Sequence, residues 1–77
     1  MIDKNKLTIE QEYLFDCLYH LDKASFIIES NILNRNRSAY KRIHDAIDGI
    51  LSDLEDSGFS NRSDMFEFIW NKWNKEE

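Results

Sequence analysis

A cysteine and a histidine stand three residues apart in a segment with helical periodicity, a spacing that can hold a metal ion. A site at Cys17 and His20 would need further ligands, for instance His44 and Asp48. The chain has only one cysteine, so the paired-cysteine spacings of zinc sites are absent. Cys17 also falls on the apolar stripe of its helix, where a thiol is usually buried and inert. We therefore predict no metal and no cofactor.

The same pair is the chain's nearest approach to a nucleophile and a base. On one helix, the imidazole of His20 would have to reach back past a turn to the thiol of Cys17. Neither a phosphate-cradling glycine loop nor a nucleophile elbow accompanies the pair. The sequence therefore predicts a protein that is not an enzyme.

The charges of the second predicted helix run against its dipole, since cations crowd its start and acids crowd its end. The cations are Arg35, Arg37, Lys41 and Arg42, and the acids are Asp53, Glu55 and Asp56. Each misplaced charge forgoes about 0.3–1 kcal/mol. In one explanation the acids pair with Arg62 across the next turn and the cations pair within the protein. In the other, the cations bind an anion or an acidic partner at the helix N-terminus.

The third predicted helix is rich in aromatic residues. One arc of its helical wheel holds Met65, Phe66, Ile69, Trp70 and Trp73. Phe68 points away from this arc. So many aromatics exceed what a small bundle easily buries from one side, and aromatics are enriched at the centres of protein interfaces. They either complete the core or contact a partner, and the position of Phe68 favours partner binding by Phe68, Trp70 and Trp73.

Three segments with apolar residues at steps of three and four must position these side chains. Thr8 and Gln11 have capping-box spacing before a helix over about residues 9–33. Ser38 is the expected cap of a helix over 38–57, which Gly58 ends in a left-handed conformation. Ser60 or Asn61 then caps a helix over 62–74. The sequence predicts an all-α three-helix bundle that forms a single domain over residues 1–77.

The apolar stripes also predict which side chains form the core. The first helix contributes Leu14, Leu18, Leu21, Ser25, Ile28 and Ile32, with Ile9, Tyr13, Cys17 and Ala24 widening the stripe. The second helix contributes Tyr40, Ile43, Ile47, Ile50 and Leu54. Gly49, inside the second helix, is expected to allow close approach of a neighbouring helix.

The composition narrows the classes of partner. The net charge of −5 speaks against a general nucleic-acid binder, whose domains are normally basic. A single cysteine cannot form an internal disulfide, which fits a reducing compartment. The chain starts without the apolar segment of a signal peptide and has no apolar run long enough to cross a membrane. We expect a cytoplasmic protein that binds neither membranes nor nucleic acid.

A leucine-bearing helix that ends at Gly58, the segment FSNRSD and the apolar-periodic helix MFEFIWNKW follow one another over residues 47–73. This stretch resembles the two helices of ribbon-helix-helix DNA-binding proteins, the Arc-type repressors. The resemblance implies dimerisation through these helices and phosphate contacts at Asn61, Arg62 and Ser63. That family has a strand directly before these helices, at residues 36–42 here, where NRSAYKR lacks the apolar alternation of a half-buried strand.

These observations predict a small, acidic, non-enzymatic helical protein that acts by protein–protein binding. Its partner would be another protein, a second copy of the chain, or both. A regulator or inhibitor of a larger host protein, of the kind that phages and plasmids carry, fits this description. The acidic surface could then compete for a basic groove on the target. The alternatives are a dimeric ribbon-helix-helix-like transcription regulator and a subunit of a larger assembly.

Overall fold

The protein folds as three helices around one apolar core. The computed structural model describes residues 2–31 and 37–76, and it describes side chains at 2–30 and 38–72. A short 3-10 turn, Lys4–Lys6, precedes the helices α1 (Ile9–Asn31), α2 (Arg37–Asp56) and α3 (Arg62–Glu76). The described residues contain no strand. The predicted all-α three-helix fold is confirmed; the predicted end of the first helix at residue 33 lies outside the described residues.

The start of α1 is fixed by a reciprocal pair of hydrogen bonds. The backbone N–H of Gln11 donates to Thr8 Oγ1 at 3.1 Å, and the backbone N–H of Thr8 donates to Gln11 Oε1 at 2.9 Å. Two N–H groups that have no partner within the helix are satisfied in this way. The capping box predicted from the sequence is confirmed.

The turn between α2 and α3 has the hydrogen bonds of a Schellman motif. Gly58 has a φ of 117°, a left-handed conformation that glycine adopts at little cost. The N–H groups of Gly58 and Phe59 donate to the carbonyls of Glu55 and Leu54, each at 3.1 Å. At the start of α3 the N–H of Asp64 donates to Asn61 Oδ1 at 3.3 Å. Of the two predicted caps, the structure selects Asn61.

Eight apolar side chains from the three helices form the core: Phe15, Leu18, Tyr19, Ile47, Leu51, Leu54, Met65 and Ile69. Both α2 and α3 pack against α1. The predictions for Leu18, Ile47 and Leu54 are confirmed. Phe15 and Tyr19, which the predicted stripe did not include, are buried because aromatic rings from α3 and the preceding turn pack on them.

The predicted widening of the α1 stripe is wrong for three residues. Ile9 and Tyr13 are exposed over 67% and 65% of their surface, and Cys17 is exposed as well. The buried face of α1 is displaced toward Phe15 and Tyr19, which leaves these side chains on the opposite side of the helix. A helix with apolar residues all round offers several possible stripes, and tertiary packing decides between them.

Two further expectations about α2 are corrected. Ser38 does not cap the helix, because α2 already begins at Arg37 and Ser38 lies in its first turn. Gly49 does not admit a neighbouring helix: it is exposed, and a Cβ built there would meet no heavy atom within 4 Å.

The two glycines therefore predict opposite effects of the same substitution. Gly49→Ala is expected to raise the free energy of unfolding by up to about 1 kcal/mol, because alanine is the better helix former and has open space. Gly58→Ala is expected to lower it by about 1–2 kcal/mol, because a Cβ is disfavoured in the left-handed conformation. Urea unfolding of both variants tests this pair. Equal effects at the two positions would contradict the described turn.

Candidate functional site

The side of α1 that faces away from the core carries a row of apolar and aromatic side chains. We call it the outer face of α1 and define it by Ile9, Tyr13, Cys17, His20, Ala24 and Ile27. Ile9, Tyr13 and Ile27 are exposed over 67%, 65% and 55% of their surface. Cys17 and His20 are also exposed, and Ala24 is half-buried. The row extends over about 27 Å of helix at 1.5 Å per residue.

A helix that packs one side in the core usually carries polar residues on its exposed side, so an exposed row of apolar residues on α1 is unusual. Phe15 and Leu18, on the inner side of α1, are fully buried. Scattered surface leucines and isoleucines need no explanation, but contiguous apolar patches mark sites of interaction. The sequence contained the signal, since positions 13, 17, 20, 24 and 27 alternate steps of four and three. The predicted core stripe of α1 includes Ile9, Tyr13, Cys17 and Ala24 from this row but not Ile27.

The charged residues of α1 are distributed unevenly between its two sides. Asp22 and Glu29 are engaged within the protein, because Asp22 Oδ2 accepts from Trp70 Nε1 at 2.7 Å and the Glu29 carboxylate accepts from the Tyr40 hydroxyl. Around the outer face lie three acids in the amino-terminal half, Glu10, Glu12 and Asp16, and a lysine in the carboxyl-terminal half, Lys23, whose ammonium lies 5.7 Å from the centre of the Tyr19 ring. The edges of the outer face therefore carry acids along the amino-terminal half of α1 and a lysine along the carboxyl-terminal half.

The side chains considered for a metal do not come together. Cys17 and His20 lie on the outer face of α1, whereas the ring of His44 on α2 lies 4.3 Å from that of Tyr40. Within the described part of the chain, no three His, Cys, Asp or Glu side chains are grouped so that they could hold a metal ion. The expectation that Cys17 is buried is wrong.

The acidic end of α2 pairs with α3, as one of the two explanations for its charges requires. The guanidinium of Arg62 donates two hydrogen bonds to the Glu55 carboxylate, both at 3.0 Å, and one to Asp48 Oδ1 at 2.9 Å. The hydrogen bond from Arg62 lowers the pKa of Glu55, and those same contacts raise the pKa of Arg62. This fork bridges α2 and α3 across the Gly58 turn.

The basic start of α2 is described only in part. Lys41 and Arg42 are exposed. Arg35 and the side chain of Arg37 lie outside the described residues. Binding of an acidic partner by these four cations stays a prediction.

The aromatic side chains of α3 pack on α1. The Phe68 ring meets that of Phe15 edge-on with centroids 4.9 Å apart, and Trp70 meets Tyr19 in the same way at 5.4 Å. Phe68 and Trp70 are half-buried against the core. The helical-wheel expectation that Phe68 points away is corrected, because α1 reaches around to that side of α3. The side chain of Trp73 lies outside the described residues.

The positions singled out by the ribbon-helix-helix resemblance have structural roles here. Asn61 caps α3, and Arg62 bridges α2 and α3. Ser63 is exposed in the first turn of α3. The segment that aligns with the family's strand is helical from Arg37 onward, because Tyr40 and Ile43 continue the stripe of α2.

An open cavity of about 430 Å³ lies between the 3-10 turn and the α2–α3 turn. Asp3, Gln11 and Asn61 are among its polar lining residues, and each of them caps a helix or turn. Ile2, Leu7 and Phe59 supply its apolar part and contact the core. These contacts hold the amino-terminal segment against the turn, so the cavity is explained by local structure.

Comparisons with protein-family models, with curated proteins and with solved structures find no match for this chain. None of the helices in the described residues combines the length and the apolar composition that crossing a membrane requires.

Proposed function

We propose that this chain is a non-enzymatic protein-binding domain and that it binds through the outer face of α1. The exposure of Ile9, Tyr13 and Ile27 on a helix whose opposite side packs in the core carries the proposal. A partner that covers these side chains removes their apolar surface from water, which stabilises the complex by about 25 cal/mol per Å² of buried surface. In a regulator or inhibitor of a larger protein, this face would be the part that attaches to the target.

The geometry of the face suits packing against another helix. Side chains at steps of three and four form a straight ridge that fits a helical groove, as in recognition of amphipathic helices. Tyr13 adds a large ring with a polar tip, which is typical of residues at the centres of interfaces. The acids and the lysine at its edges would set orientation more than affinity.

Two lysine substitutions on the outer face are expected to abolish binding without unfolding the protein. Ile9→Lys with Tyr13→Lys places two charges where a partner would have to desolvate them, an expensive step for unpaired charges. Ala46→Lys, on the exposed side of α2, is the matched control. Thermal melts should be alike for all three proteins, because these positions are exposed.

Binding is measured in two ways on the same proteins: affinity capture from a lysate of the source cell, and sedimentation of the purified chain. We expect wild type and Ala46→Lys to bind a protein, whether another chain or a second copy, and the double variant to bind none. Equal binding by the double variant would move the site away from α1. Absence of any binding by wild type in both measurements would contradict the proposed function.

A further inference from the structure

We propose that the outer face of α1 binds the same face of a second copy of this chain in an antiparallel orientation, which gives a two-fold symmetric dimer. The inference rests on the proposed function and names its partner. Three features of the face lead to it: the spacing of its residues, the sizes of its side chains and the distribution of its charges.

The spacing is that of a coiled-coil seam. Positions 13, 17, 20, 24 and 27 alternate steps of four and three, which is the a/d pattern that keeps two helices in contact along their length. The inner side of α1 packs against α2 and α3, so this seam is a second one on the opposite side. This seam of about 21 Å is matched in length by the same seam of another copy.

Side-chain sizes are complementary when the two helices run in opposite directions. With the two-fold axis between Cys17 and His20, Tyr13 faces Ala24 of the second copy, and Ala24 faces Tyr13 of that copy. The large ring, exposed over 65% of its surface, thus lies over the smallest side chain of the row. A parallel pair would instead place each Tyr13 against the other and each Ala24 against the other, which leaves a gap at the second position.

The charges at the edge of the face point to the same orientation. Asp16 and Lys23 lie on one edge, about two turns apart. In the antiparallel pair, Asp16 of each copy lies within one turn of Lys23 of the other, which makes two opposite-charge contacts. In a parallel pair this edge lies on opposite flanks of the interface in the two copies, so Asp16 and Lys23 of one copy would not meet these residues of the other. Only the antiparallel orientation brings the opposite charges together.

The dimer is expected to be weak, because one pair of helices is a small interface. Interfaces below the standard size commonly belong to transient complexes, and we expect a Kd of about 1–100 µM. Sedimentation equilibrium of the full chain over that range should show the mass rise from 9.2 kDa toward twice that value. Ile9→Lys with Tyr13→Lys should stay monomeric, and Ala46→Lys should behave as wild type.

Reversal of two charges tests the orientation. Asp16→Lys replaces both attractive contacts of the antiparallel pair by repulsive ones, and it should weaken the dimer by about tenfold. Adding Lys23→Asp restores opposite charges at both contacts and should recover dimerisation. In a parallel pair residues 16 and 23 do not meet across the interface, so neither the single nor the double variant would change dimerisation. Melting curves confirm that each variant is folded before its mass is interpreted.

The possible outcomes separate this inference from the proposed function. Concentration-dependent dimerisation that Ile9→Lys with Tyr13→Lys removes, that Asp16→Lys weakens and that the added Lys23→Asp recovers supports the antiparallel dimer. A dimer that Asp16→Lys does not weaken, or that the added Lys23→Asp does not recover, contradicts the orientation. A wild-type chain that is monomeric throughout, but captures another protein through the outer face of α1, overturns the dimer and leaves the proposed function in place. A monomer that captures nothing overturns both.

Discussion

Phe15→Ala is expected to unfold most of the protein at room temperature. The ring is fully buried and lies edge-on to Phe59 at 5.3 Å and to Phe68 at 4.9 Å. Removing a buried phenylalanine costs about 3–5 kcal/mol, through lost transfer free energy and the cavity that remains. A domain below about 80 residues rarely has more than about 3–5 kcal/mol of net stability. The loss is therefore comparable with the total.

Urea unfolding followed by circular dichroism measures this effect. Leu18→Ala and Ile47→Ala, also buried, should each cost about 2–5 kcal/mol. Ile9→Ala is the control on the same helix, and because its side chain is exposed it should change stability by no more than about 0.5 kcal/mol. A near-neutral Phe15→Ala, or a large loss at Ile9, would mean that the described rotation of α1 is incorrect.

Trp70→Ala is expected to lower stability by about 3 kcal/mol and to leave association unchanged. Its indole Nε1 donates to Asp22 Oδ2 at 2.7 Å, and its ring meets those of Tyr19 and Phe26 at 5.4 and 5.9 Å. Truncation would remove this packing and leave a half-buried carboxylate without its donor. The half-buried position of the ring places the effect at the lower end of the range for tryptophan.

Melting and sedimentation of the same variants separate the two roles of the α3 aromatics. Phe68→Ala should resemble Trp70→Ala, because the Phe68 ring rests on Phe15. Trp70→Phe keeps a ring but removes the donor, so it should recover part of the stability. If either alanine variant weakened association while its melting temperature stayed at the wild-type value, these side chains would belong to an interface.

Local signals in the sequence predicted the ends of the elements well. Thr8 with Gln11, Gly58 and Asn61 each act through hydrogen bonds to backbone groups a few residues away, or through their own backbone conformation. Such interactions depend little on the rest of the fold. The pairing of Glu55 with Arg62 was predictable for the same reason, since a short turn brings the end of one helix beside the start of the next.

Which side of α1 faces the core, and thus the rotation of the helix about its own axis, could not be predicted from its periodicity. Its apolar residues satisfy two stripes, one through Leu14 and Leu21 and another through Tyr13 and Cys17, and period alone does not rank them. Contacts with the aromatic side chains of α3 decide which of the two stripes faces the core, because these contacts bury Phe15 and Tyr19. With this side of α1 inward, Phe68 and Trp70 pack half-buried against the core and Tyr13 is exposed. The predicted binding site on α3 and the outer face of α1 thus depend on the same packing choice.

The most direct test of this account is a dilution series of the isotopically labelled chain followed by amide nuclear magnetic resonance. We predict that the amide signals that move with concentration cluster on α1, at Tyr13, Cys17, His20 and Ala24, while those of Phe68 and Trp70 stay fixed. Ile9→Lys with Tyr13→Lys should give the dilute spectrum at every concentration, apart from the substituted region. Concentration-dependent shifts centred on Phe68 and Trp70, with α1 unchanged, would contradict the assignment of the binding surface to α1.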